Sequence, residues 1–105
     1  MEVSVVIPVF NEKGNLQALW EETRTALQQE QIDFELLFVD DGSTDGSADR
    51  LRTLNAGPRL RVISHLRNFG QSAAIATGFR HARGRVIVTL DGDGQNDPSD
   101  IPQLL

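Results

Sequence analysis

The sequence predicts an α/β domain built on a parallel sheet of about four strands with helices on both faces. Three observations carry this expectation. Short runs rich in β-branched and other apolar residues recur at residues 3–9, 34–39, 60–64 and 86–90. Segments with helical periodicity separate them, and a polar cluster follows the end of each run. A βαβαβαβ order of this kind implies right-handed crossovers, with ligands bound beyond the carboxyl ends of the strands.

The first run, VSVVIPV, is closed by Pro8. Leu16, Leu19, Trp20, Thr23 and Leu27 then fall at i, i+3, i+4, i+7 and i+11, one face of a helix beginning near Asn15. The runs at 34–39 and 86–90 are almost continuously apolar, as expected of strands covered on both faces. After the second run, Ser43 or Thr44 is positioned to cap a helix carrying Ala48, Leu51 and Leu54. A third helix carries Ala74, Ile75, Gly78, Phe79 and Ala82. The last residues, DIPQLL, read as the opening of a further amphipathic element with no stop signal, so residues 1–105 are expected to be one truncated domain.

Bulk properties narrow the function classes. A net charge of −5 and a pI near 4.8 lack the basic stripe that nucleic acid requires. Nine of the ten cationic side chains are Arg, a bias suited to phosphate or carboxylate recognition. The absence of Cys removes disulfides and thiolate metal sites. There is no signal-peptide pattern, and no apolar run reaches the roughly 20 residues of a transmembrane helix. The segment is expected to be soluble and cytoplasmic.

The chemistry is concentrated in four clusters. In TLDGDGQNDP an extended chain would project Asp91, Asp93 and Gln95 to one side, because side chains alternate along a strand. Such oxygen ligands suit Mg²⁺ or Mn²⁺, which commonly take one or two carboxylates and leave positions for water and phosphate. An EF-hand is excluded, since its sixth and twelfth positions would be Asn96 and Pro102 rather than Gly and Glu. In FVDDGSTDGSADR, Asp45 suits a helix N-terminus. Adjacent Asp40 and Asp41 repel each other, so solvent or a ligand must offset them, and at least one is expected to accept a nucleobase N–H. In IPVFNE, Phe10 reads as a core residue, with a platform for a base as the alternative. In LRNFGQSAAIATGF, Arg67, Asn68 and Gly70 precede a helix N-terminus where phosphate or sugar oxygens would meet a cation and backbone N–H groups. His65 and His81 share no ligand-like spacing and read as surface or packing residues. Neither G-x-G-x-x-G nor G-x-x-x-x-G-K-[ST] occurs, which removes the dinucleotide and P-loop readings.

Together, VSVVIPVFNE, FVDDGSTDGS, RNFGQSAAIATGF and VTLDGDGQNDP resemble the amino-terminal half of the family 2 glycosyltransferases, inverting enzymes with a Rossmann-like GT-A fold. The Gln95, Asn96, Pro98 form of the fourth motif is similar to polyprenyl-phosphate glycosyltransferases, such as dolichol-phosphate mannosyltransferases and undecaprenyl-phosphate sugar transferases. The resemblance implies a donor-binding half that takes a UDP- or GDP-sugar. Pro8, Phe10 and Glu12 would line the nucleotide pocket, Asp41 would hold the base and Asp91 would lie by ribose and metal. Asp93 and Gln95 would ligate Mg²⁺ or Mn²⁺. Phe10 stands where the family often has Tyr, and Gly92 and Gly94 where Ala and Leu are commoner. The family's base and acceptor region would follow Leu105, so the fragment alone is expected to be inactive. A longer protein would work at the cytoplasmic membrane face on a polyprenyl phosphate and could form a homo-oligomer. Transfer to a saccharide or protein, or a non-catalytic nucleotide-binding module, are the alternatives.

Overall fold

The structure, a computed structural model, describes residues 1–54, 57–91 and 97–105. Four strands, β1 (Val3–Val9), β2 (Phe34–Asp40), β3 (Leu60–Ser64) and β4 (Val86–Thr89), form one parallel sheet in the order β3-β2-β1-β4. Helices α1 (Leu16–Gln29), α2 (Ser47–Leu54), α3 (Gln71–His81) and the short α4 (Ile101–Leu104) alternate with them. Single 3-10 turns precede α1 and α4, at Lys13–Asn15 and Pro98–Asp100.

Alternation along β1 and β2 builds two cores. Val3, Val5, Ile7, Val9, Phe34, Leu36 and Phe38 face α1 and α2, meeting Leu16, Leu19, Trp20, Leu27 and Leu51. On the opposite face Val6, Leu37 and Val39 pack with Ala74 of α3. Every residue of β1 and β2 is buried, as two-sided coverage requires. The helix approach on the second face is close, since a Cβ on Gly78 would come within 2.3 Å of Val6 Cγ1.

Several expectations are corrected. Within residues 1–105 β4 is the edge strand rather than one covered on both faces, and Val86 and Ile87 are 46 % and 36 % exposed. Phe79 lies on the outward side of α3 and is 49 % exposed, because Ala74, Thr77 and Gly78 form the helix's inner face. Ser43 and Thr44 do not cap α2, which begins at Ser47. Asp45 Oδ1 accepts the Ser47 N–H instead. No described helix is long and apolar enough to cross a membrane.

A buried polar tie crosses the second face. Glu35 accepts hydrogen bonds from the Ser4 hydroxyl, Arg61 Nη1 and the Arg83 backbone N–H at 2.6, 2.7 and 2.7 Å. Ser4 Oγ in turn accepts from Gly84 N–H, so one carboxylate joins β1, β2, β3 and the entry to β4. Burial alone would raise the Glu35 pKa, but these donors outweigh it and hold the carboxyl below its ordinary range.

Candidate active site at the carboxyl edge of the sheet

Parallel register brings the four polar clusters to one edge. Val9 pairs with Asp40, and Asp40 with Ser64. The ladder continues one step past the strands through Asp41 N–H to Val9 O and His65 N–H to Asp40 O, each 2.8 Å. Leu90 N–H reaches Val6 O, which delivers Asp91 to the same edge.

Here a cleft of about 410 Å³ opens, lined by Pro8, Val9, Phe10, Glu12, Asp41, Asn68, Gln71 and Asp91. Its size lies within the range of small-molecule sites. The structure thus gathers Pro8, Phe10, Glu12, Asp41 and Asp91, five residues picked out from the sequence, in one concavity. Phe10 is no core residue: it is 44 % exposed. Asp93 and Gln95 lie outside the described residues, and among those described no group of three His, Cys, Asp or Glu is placed to hold a metal.

One wall is tied by long-range hydrogen bonds. Asn11, at φ +54°, donates its N–H to Ser43 Oγ and accepts Thr44 N–H on Oδ1. Glu12 N–H donates to Ser47 Oγ and Lys13 N–H to Asp45 Oδ2. The loop carrying Phe10 and Glu12 is therefore fixed on the loop after β2.

The paired aspartates have separate partners. Asp40 accepts the Ser43 hydroxyl. Asp41 is 2 % exposed, and its Oδ1 accepts from His65 Nδ1 and Phe69 N–H, while Oδ2 accepts from Gly70 N–H and Asn68 Nδ2, all at 2.8 to 3.1 Å. An ionised carboxylate offers about four acceptor positions, and these four donors occupy them. Burial works to raise the Asp41 pKa, yet His65 and the two backbone N–H groups prevail and lower it. Internal donors, rather than solvent or ligand, offset the repulsion expected of the pair. Asp41 accordingly meets the cleft with its carboxylate tied to the loop before α3. The backbone N–H groups of Phe69 and Gly70 are likewise turned inward, and Arg67 stacks over the Phe69 ring at 5.0 Å instead of standing ready for a phosphate.

Two participants had no sequence signal of their own. Gln71 lines the cleft and donates Nε2–H to Asp91 Oδ1 at 3.3 Å. His65, read as a surface or packing residue, is half-buried and bonded at both ring nitrogens. His81, by contrast, is exposed; its ring Nδ1 bonds to Thr77 O within α3, and its backbone carbonyl accepts from Arg61 Nη1.

The family model described as glycosyl transferase family 2 matches residues 4–105. An undecaprenyl-phosphate 4-deoxy-4-formamido-L-arabinose transferase of Serratia proteamaculans is 47 % identical over 99 % of this chain, which spans 32 % of that relative's length. Among solved structures, S. aureus TarS 1–349 in complex with UDP-GlcNAc superposes with a TM-score of 0.78 over 99 % of this chain and 30 % of its own, at 21 % identity. The mannosyltransferase PcManGT of Pyrobaculum calidifontis, in complex with GDP-Man and Mn²⁺, gives a TM-score of 0.68 at 28 % identity, over 88 % of this chain and 27 % of its own.

Proposed function

The chain belongs to glycosyl transferase family 2, and on that premise we propose that residues 1–105 are the donor-binding part of an enzyme that moves a sugar from a nucleoside diphosphate to a polyprenyl phosphate. One observation carries the donor half of this reading: all four sequence clusters contribute to a single cleft beyond the carboxyl ends of the strands, where open parallel sheets bind nucleotides. The acceptor half follows the relative that is 47 % identical over 106 aligned residues and is named as an undecaprenyl-phosphate sugar transferase.

Within the cleft, the exposed Phe10 offers its ring to a base, and Pro8 and Val9 line the cleft with it. Asp41 keeps the Asn68–Gly70 segment, whose Asn68 lines the cleft, in place. The lining contains three carboxylates, Glu12, Asp41 and Asp91, and no Lys, Arg or His among the described residues. A diphosphate entering so acidic a site needs a cation between. The oxygen donors present fit Mg²⁺ or Mn²⁺, and PcManGT was solved in complex with GDP-Man and Mn²⁺. Asp91 would hold that ion together with Asp93 and Gln95. When bound, such an ion stabilises the negative charge that grows on the departing diphosphate. Gln71 orients the Asp91 carboxylate. The acceptor phosphate, with a second pKa near about 6, is already largely ionised at neutral pH and needs little help from a base.

The test is thermal unfolding with UDP or GDP. Either nucleotide should raise the melting temperature by several degrees with Mn²⁺ or Mg²⁺ and by much less in excess EDTA, since a ligand that binds only the folded state stabilises it. No shift with either nucleotide under both conditions would refute the donor-site reading.

A further inference from the structure

His65 is the half-buried titratable group for which the donor-binding reading has no use. It follows β3 directly, and its backbone N–H extends the ladder to Asp40 O at 2.8 Å. Its ring joins Asp41 Oδ1, through Nδ1, to Thr77 Oγ1, through Nε2, each at 2.8 Å. Because the carboxylate only accepts, Nδ1 carries the proton that meets Asp41, and Nε2 pairs with the Thr77 hydroxyl. Thr77 Oγ1 also accepts from Arg80 Nη2 at 3.2 Å. The Phe69 ring meets the imidazole edge to face, with centroids 5.6 Å apart.

This order of acid, imidazole and hydroxyl is the one that activates a nucleophile in hydrolases. Here it does not, because Thr77 is only 6 % exposed, lies in the middle of α3 with its side toward the sheet, and does not line the cleft. What the chain does is mechanical. Asp41 accepts from the Phe69 and Gly70 N–H groups and from the Asn68 amide, and His65 links that acceptor to Thr77 of α3. We propose that His65 is a positioning residue for nucleotide binding, clamping Asp41 against Thr77 so that the segment 68–70 stands as a rigid wall of the cleft. The inference rests on the donor-binding reading, and it predicts an order of coupling: His65 to Asp41, Asp41 to the 68–70 backbone, and that backbone to the ligand.

Two variants test it in the same chain, with far-UV circular dichroism as the check on folding. His65→Leu keeps the bulk and removes both bonds. His65→Asn retains a donor where Nδ1 stood. In His65→Leu, hydrogen exchange at the Phe69 and Gly70 amides should accelerate about tenfold, while Val6 and Leu37 in the sheet keep their rates. The dissociation constant for UDP or GDP in Mn²⁺ should rise by a similar factor, the scale of one hydrogen bond to a charged group. His65→Asn should recover both quantities to within about threefold. Unchanged exchange and affinity in His65→Leu, or no recovery in His65→Asn, would overturn the proposal. If His65→Leu fails to fold, Thr77→Val, which frees the far end of the ring and the Arg80 Nη2 donor but leaves every bond to Asp41 in place, should still accelerate Phe69 and Gly70 exchange, and unchanged rates there would refute the proposal. A parent chain that binds neither UDP nor GDP would defeat the donor-binding reading, and the exchange rates alone would then decide the role of His65.

Discussion

Gly42 and Asn68 meet backbone to backbone. A Cβ on Gly42 would stand 2.5 Å from Asn68 N and 2.3 Å from Arg67 C, and Gly42 itself sits at φ +73°. The turn after β2 can therefore touch the loop before α3 only while position 42 lacks a side chain. Gly42→Ala should lose about 2 to 4 kcal/mol, combining the left-handed backbone with an overlap against main-chain atoms that have little room to retreat. Urea unfolding measures this. A loss under about 0.5 kcal/mol, within the usual range of surface changes, would mean that the two loops do not press on each other.

Asp41 sits at the centre of the same contact. Asp41→Ala leaves two backbone N–H groups, the Asn68 amide and the His65 ring without their shared acceptor. Buried donors that lose a partner are costly, so the wall should loosen. On the donor-site proposal, in which this wall flanks the base and ribose rather than the diphosphate, nucleoside and nucleotide binding should then fall together, about tenfold or more. Titration calorimetry with uridine, guanosine and their diphosphates distinguishes the cases. A loss confined to the diphosphates would contradict this placement.

The legibility of the sequence was uneven for physical reasons. β1, β2 and the inner face of α1 follow from local pattern alone, since continuous apolar runs and a 3.6-residue period are imprinted by burial. Strand order is not local: VIVT reads the same in the centre of a sheet as at its edge, and only the order β3-β2-β1-β4 exposes Val86 and Ile87. Cap assignments failed where hydroxyls had distant alternatives, Ser43 going to the Asn11 N–H, 32 positions away in the chain. His65 was invisible for the same reason, with partners 24 and 12 residues away that only the parallel register unites.

Glu35 should shape the acid limb of stability. Its side chain is 1 % exposed, and its pKa is lowered in the fold because Ser4, Arg83 and Arg61 outweigh the effect of burial. A depressed carboxylate contributes stability that is fully present above its unfolded pKa of about 4.3 and is lost as pH falls through the lower folded value. The chain should thus weaken progressively below about pH 5. Glu35→Gln should be less stable than the parent at pH 7 and show a shallower decline between pH 5 and pH 3. Parallel urea midpoints for the two proteins across that interval would deny Glu35 this role.

Asp91 allows a test in which the sign of the effect changes with the metal. It stands at the mouth of the cleft, exposed and oriented by Gln71, with Glu12 and Asp41 also in the lining. Without a divalent cation, a carboxylate near a diphosphate is repulsive, on the order of 1 kcal/mol for unit charges about 4 Å apart in water and more where solvent is displaced. With the cation present the same carboxylate is a ligand, and removing its charge weakens the bridge. Asp91→Asn keeps the size and the capacity to accept from Gln71 while deleting the charge. In EDTA this variant should bind UDP or GDP as well as the parent or several-fold better. In saturating Mn²⁺ it should bind about tenfold less well, and its affinity for the free nucleoside should not change in either condition. A fold defect would lower all of these affinities together, so the crossover separates electrostatics from damage. Equal losses with and without Mn²⁺ would show that Asp91 contributes shape to the cleft and has no part in holding a metal.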